Sequence, residues 1–163
     1  AELVTVAPET GAVGEKAVSF RAQHQSFEWG GAVGEMAAFH VTALGIDDLI
    51  SGTVLENSAK TVTGSGTGRN LGAVGATQKL YAGLHILAVA GTTPTLDLRI
   101  QSDDGSGFLS PTTRITFTQA TAIGWQWASP IAGAITDNWF RADWTIGGTG
   151  SPSFTVVVVV GIK

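Results

Sequence analysis

Between residues 95 and 118 the chain reads TLDLRIQSDDGSGFLSPTTRITFT, and apolar and polar positions alternate in both arms. Leu96, Leu98 and Ile100 alternate with Asp97, Arg99 and Gln101. A period of two places one set on each face of a strand. Ile115 and Phe117 alternate in the same way with Arg114, Thr116 and Thr118. The residues between the arms are rich in Asp, Gly and Ser and end at Pro111, which is turn chemistry. The pattern predicts two half-buried antiparallel strands joined by a polar loop. A lone hairpin is not stable in water, so its apolar face requires a second sheet.

The same alternation predicts strands over residues 3–6, 17–27, 36–44 and 52–55 in the first third of the chain. Glycine-rich turns are expected at 11–15 and 28–34, and one helical turn at 47–50. The motif GAVGE stands at 11–15 and 31–35, and GAVGA at 72–76. The unequal spacing excludes a solenoid repeat, and one type of glycine turn used three times to enter a sheet is the simplest account. Residues 56–69 are dominated by Thr, Ser and Gly, so a domain boundary or long surface connection is expected there, with a β-rich segment 1–58 before it and a sandwich 59–163 after it. Residues 79–90 form a strand with Leu80, Ala82, Leu84, Ile86 and Ala88 on one face and Tyr81, Gly83, His85, Leu87 and Val89 on the other. That strand is expected to be covered on both sides over part of its length. HILAVAGTTPTLDLRI (85–100) echoes WTIGGTGSPSFTVVVVV (144–160), which reads as two matching hairpins. Trp125 and Trp127 share one face of an extended segment. Trp139, Arg141 and Asp143 oppose Phe140, Ala142 and Trp144. No amphipathic helix of useful length is present. The expected fold is all-β, an antiparallel β-sandwich of jelly-roll type.

Composition adds a constraint on the surface. Only 13% of the 163 residues are charged, 44% are apolar, and the mean hydropathy is positive. A free surface usually carries about twice that charge. Cores of subunit interfaces are depleted in charge, so burial between subunits is expected. Only nine Lys and Arg are available to block sheet edges, whose open N–H and C=O groups invite pairing. A homo-oligomer, with a trimer as the expected order, follows from this reading. Trp125, Trp127 and Trp139 are the expected interface residues, because Trp is enriched among those that dominate interface energy. A net charge of −4 without a basic run argues against nucleic-acid binding. No apolar run approaches the roughly 18 residues of a helical membrane span, so no membrane partner is expected. The longest run, Val156 to Val160, has strand length. The opening residues show no secretory-signal pattern.

Candidate chemistry is sparse. Without Cys there is no disulfide or thiolate metal site. Asp103-Asp104-Gly105-Ser106-Gly107 offers oxygen ligands but lacks the acid ladder of a calcium loop, and reads as a polar hairpin turn. Gly64-Ser65-Gly66-Thr67-Gly68 lacks the Lys and the helix start of a phosphate cradle. His24, His40 and His85 show no metal-ligand spacing, and no nucleophile-elbow motif is present. Glu15, Glu28, Glu35 and Glu56 offer carboxylates for glycoside hydrolysis, but nothing selects a pair. No catalytic residue, metal or cofactor is expected. Trp29, Trp125, Trp127, Trp139 and Trp144 fit either packing and interfaces or a sugar-stacking platform.

GAVGE, the run LGAVGATQKLYAGLHILAVAGTTPTLDLRIQSDDGSGF and the tail FRADWTIGGTGSPSFTVVVVVGI resemble a family of structural proteins of tailed bacteriophages, decoration or tail-associated. The resemblance covers most of the chain, is strongest from Gly72 to Ile162, and carries no catalytic residue. It implies a virion component, assembled in the cytoplasm of the host bacterium, whose partners are the major capsid protein or other virion subunits. A capsid decoration or cement protein is the first expectation. A tail-tube or tail-surface subunit is the second, and a carbohydrate-binding β-sandwich module is the alternative from another class. In such proteins a segment like 1–58 follows a small tail-tube-like β portion. The chain opens at Ala1-Glu2-Leu3 without one, so it is expected to be either a short member or to lack its N-terminal part.

Overall fold

A computed structural model describes residues 1–30, 38–46 and 48–163. The described residues contain no helix; they form strands β1 (Glu2–Val6), β2 (Lys16–Gly30), β3 (Ala38–Gly45), β4 (Ile50–Lys60), β5 (Gly64–Ser65), β6 (Arg69–Asn70), β7 (Lys79–Ala90), β8 (Thr95–Asp103), β9 (Thr112–Thr116), β10 (Gly124–Trp127), β11 (Ile131–Ala132), β12 (Trp139–Gly147) and β13 (Ser153–Ile162). Every pairing among them is antiparallel. The large sheet runs β1-β2-β4-β13-β7-β10, with β3 beside β2 and β11 beside β7. The small sheet runs β5-β12-β8-β9, with β6 also on β12.

The chain from β4 to β13 is one long hairpin rolled into two sheets. β4 pairs with β13, β5 and β6 with β12, β7 with β10, and β8 with β9. The roll then sets β13 against β7 and β12 against β8. That is the jelly-roll topology anticipated from the alternation pattern. The 95–118 hairpin is the tip of the roll. Its inward residues, Leu96, Leu98, Ile100, Ile115 and Phe117, are all buried against Leu80, Leu84, Phe140, Phe154 and Val156.

The two echoing segments are not hairpins. β7 and β13 lie in the large sheet, while β8 and β12 lie in the small one. Each glycine-threonine loop therefore carries the chain from one sheet to the other. The echo is nevertheless structural, because the two crossing loops stack. The Thr92 N–H donates to the Thr149 carbonyl at 2.8 Å. Gly148 has φ +111°, and a Cβ there would sit 2.1 Å from the Thr93 carbonyl oxygen. A side chain is excluded at this point of the crossing, which accounts for the glycine there.

Two bulges decide what the alternation could not. In β7 the pairing with β13 shifts at Leu87, between Ile86↔Val156 and Ala88↔Thr155. The extra residue reverses the faces. Val89, not Ala88, packs on the core, and Ala88 is exposed. In β4 the shift lies at Leu55, between Val54↔Val159 and Glu56↔Val158. Glu56 is thereby turned inward with Lys60, and the two form a buried ion pair. The Lys60 ammonium lies 4.1 Å from the centre of the Trp144 ring, and the Trp144 indole N–H donates to the Val62 carbonyl at 2.9 Å. These contacts let a strand persist to Lys60 through a polar sequence. The expected boundary between residues 58 and 59 falls inside β4, and β1, β2 and β3 extend the sandwich's own sheet.

The large sheet curls so that β1 comes back over the outer face of β7 and approaches β10. Leu3 lies over Gly83, where a Cβ would be 3.1 Å from Leu3 Cδ2. His85 Nε2 and Thr5 Oγ1 are hydrogen-bonded at 2.9 Å, and Thr5 Oγ1 and Ser19 Oγ at 2.8 Å. A second, smaller interior results, with Ala17, Val54 and Val159 at its centre. The valine run serves both interiors: Val156, Val158 and Val160 face the sandwich, and Val157 and Val159 face the curl. A strand covered on both faces reads as continuously apolar.

The two described GAVG copies adopt different turns. Gly11 and Gly14 both have positive φ, whereas in the copy at 72–76 only Gly72 does. The Glu15 carboxylate accepts the Thr10 and Ala12 N–H groups at 3.0 and 2.9 Å. Ala76 cannot act in that way, and the Gly75 N–H is met instead by Gln78 Oε1 at 2.9 Å. The copy at 31–35 lies outside the described residues. So does Asp47 of the expected helical turn; residues 48–49 take no regular form and Ile50 begins β4. The turn expected at 28–34 differs in its described part, because β2 continues through residue 30.

Candidate interaction surface

Trp125 and Trp127 do share a face. β10 is extended and pairs Trp125 with His85 and Trp127 with Gly83. Residues directly opposite in a sheet share a face, so both indoles lie on the outer side of the large sheet. Trp127 is half-buried against Tyr81, with ring centres 6.2 Å apart at 44°. Trp125 is exposed. Trp139 stands elsewhere: it alternates with the buried Phe140, Ala142 and Trp144 on β12, and so faces outward from the small sheet. The sandwich lies between it and the other two. Trp144 is buried in the sandwich, and the Trp29 side chain is outside the described set. The described indoles therefore form no single aromatic platform.

Near Trp125 stand two further exposed apolar side chains, Leu87 on β7 and Ile123 just before β10. Ile123 is two residues before Trp125, and Leu87 follows the Ile86↔Gly124 pair. The strip borders the edge of the large sheet, where, among the described strands, β10 has β7 on one side and no further strand on the other. Leu87 was legible as an outer-face residue. Its exposure was not, since that depends on the bulge that holds it beyond the cover of β1. At the other end of the same sheet, β2 and β3 pair from Ala22↔Gly45 to Gly30↔Ala38. Among the described strands β3 pairs with β2 alone, so this ribbon extends past the sandwich.

The loop after β8 spends its acids on its own backbone. Asp103 accepts the Ser110 N–H at 2.9 Å and the Gly105 N–H at 3.4 Å. The Ser110 N–H lowers the Asp103 pKa, and the neighbouring Asp103 raises that of Asp104. Phe108, at φ 48°, is buried beneath Arg141, whose guanidinium lies 4.3 Å from the ring centre. Arg114 Nε donates to Ser102 Oγ at 2.7 Å and Nη2 to Asp137 at 2.8 Å, while Ser102 Oγ donates to Asp137 at 2.6 Å. These bonds hold the Asp137 pKa down. The Ser102 hydroxyl thus has no imidazole base within its network. Among the described residues no three His, Asp or Glu side chains converge as metal ligands. Glu15 caps a turn and Glu56 is paired with Lys60, so these two carboxylates do not face one another across a cleft.

No family model, curated protein or solved structure matches the chain.

Proposed function

We propose that the protein is a non-enzymatic structural subunit of a tailed-phage virion, a capsid decoration protein that seats a jelly-roll sandwich over junctions between capsid subunits. The observation that carries this reading is the exposed apolar strip of Leu87, Ile123 and Trp125 beside the open edge at β10. Apolar side chains next to unpaired backbone groups are the features that association covers. The low charge of the whole chain supports the same reading. Jelly rolls serve capsid and lectin proteins alike, so the fold by itself does not choose between them. That the described indoles share no platform weighs against those tryptophans as one sugar surface.

In this function the chain acts mechanically. Each subunit contributes buried area at a junction, and many weak contacts made at once hold the shell by multivalency. A lasting contact buries on the order of 1,000 Å² or more in total. The partners are the major capsid protein and further copies of this chain, with a trimer as the assembly. The experiment is a mass-spectrometric copy count on purified virions. Copies that scale with capsid subunits support decoration, copies that scale with tail rings move the chain to the tail, and absence from the particle overturns the virion role.

A further inference from the structure

At one end of the curled half of the large sheet lies a cleft of about 270 Å³. Its walls include Arg21, Asp48, Lys79, Tyr81, Trp127 and Ser129. Four chain segments bring them together. Arg21 lies on β2, and its carbonyl accepts the Ile46 N–H at 2.9 Å, which fixes the approach to Asp48. Lys79 and Tyr81 open β7. Trp127 ends β10 over Gly83, where a Cβ would lie 3.4 Å from the indole. The missing side chain at Gly83 is what lets both Leu3 and Trp127 settle on this face. Tyr81 is buried, and its hydroxyl donates to Asp48 Oδ2 at 3.1 Å. Lys163 Nζ donates to Asp48 Oδ1 at 2.7 Å. Those two bonds, Lys163 first, keep the Asp48 carboxylate ionised to lower pH than usual.

The donor set selects among ligands. A purely apolar molecule would displace water from Lys79 and Ser129 without replacing its hydrogen bonds. A phosphate would meet the Asp48 carboxylate. A metal ion would find one acid already held by a tyrosine and a lysine. A pyranose ring has an apolar C–H face for Trp127 and hydroxyls that both donate and accept. It can therefore bond a carboxylate, an ammonium, a guanidinium and a serine hydroxyl together. We propose that the cleft between β2, β7 and the end of β10 is a binding site for one pyranose residue of a saccharide. The site is independent of where the chain sits in a particle, and it uses Trp127 without Trp125 or Trp139.

The test is NMR titration of the full chain with glucose, galactose, mannose, N-acetylglucosamine and short oligomers of each. The expected result is that at least one sugar shifts the Trp127 indole and the amides of residues 79–81, with a dissociation constant on the order of 1 mM, as befits a ligand of this size. Trp127→Ala and Asp48→Asn each weaken binding at least about tenfold, while the surface variant Glu9→Gln leaves it unchanged. Asp48 is exposed, so its variant reports on the site even if Trp127→Ala fails to fold; melting curves check both. No shift from any sugar at tens of millimolar overturns the proposal, and so do shifts that survive in both folded variants.

Discussion

The two faces of the large sheet bound two different interiors. On the sandwich side, Leu80, Leu84, Ile86, Val156, Val158 and Phe154 meet Leu96, Leu98, Ile100 and Phe140 of the small sheet, and nearly every side chain is large and apolar. On the curled side, the same strands present Gly83, His85, Val157 and Val159 to Leu3, Thr5, Ala17 and Ser19. Apart from Leu3 the residues there are small or polar, and His85, Thr5 and Ser19 are joined by hydrogen bonds. Burial stabilises in proportion to apolar area, about 25 cal/mol per Å². The sandwich therefore supplies most of the stability. The curl, with smaller side chains, lets β1 approach β7 and leaves room for the cleft at its end. A fold can thus keep its stability on one face of a sheet and its surface chemistry on the other.

Truncation should separate the two interiors most strongly. Phe154→Ala removes a fully buried ring from the sandwich and is expected to cost about 3–5 kcal/mol. Val157→Ala on the curled side should cost about 1 kcal/mol, since it loses less area and is only partly buried. Urea denaturation of both variants measures the difference, and equal losses would break the comparison.

The ion pair inside the sandwich is the next largest effect. Glu56→Ala leaves Lys60 buried under Trp144 without its carboxylate, and about 3 kcal/mol of stability is expected to go. Glu56→Leu with Lys60→Met should recover most of it, because a packed apolar pair requires no desolvation of charge. A double variant no better than the single would show that the charges themselves matter.

On the curled side, Gly83→Val should cost about 1–3 kcal/mol by forcing Leu3 and Trp127 apart. Hydrogen exchange is expected to accelerate in β1 while β8 and β12 stay protected. Uniform acceleration would mean that the curl and the sandwich unfold as one unit.

The smallest effect is set by pH. Burial lowers the His85 pKa from 6.5. The unfolded chain then binds more protons as pH falls below about 6.5. The contribution of neutral His85 is present above that value and is lost as pH falls through the lowered pKa. His85→Gln should flatten the stability profile in that window. Asp137, whose pKa is also lowered, acts further into acid: its contribution is present above its ordinary carboxylate range and declines as pH falls through the lowered pKa. A profile unchanged in the His85 variant would remove the histidine from the account of the curl.

The sequence by itself determined the class of fold and the inward faces of the sandwich. Leu96, Leu98, Ile100, Ile115, Phe117, Phe140 and Ala142 could be assigned because a period of two admits only two faces, and only one is apolar. The same period marked Trp125 and Trp127 as neighbours on one face. It could not say which sheet a strand joins, so the two crossing loops looked like hairpins. It could not locate the bulges at Leu55 and Leu87, since an extra residue leaves no mark in alternation and is fixed only by the partner strand. That is why Glu56 and Lys60 read as part of a polar connection. Nor could the period say that Trp139 and Trp125 face opposite sides of the sandwich, because that depends on which sheet each strand joins. Asp48, Lys79 and Tyr81 share no motif with Trp127. The pairing of β10 with β7 sets Trp127 beside Tyr81, and the tertiary fold brings Asp48 to the Tyr81 hydroxyl, because strand pairing and close packing are properties of paired strands and not of any one segment.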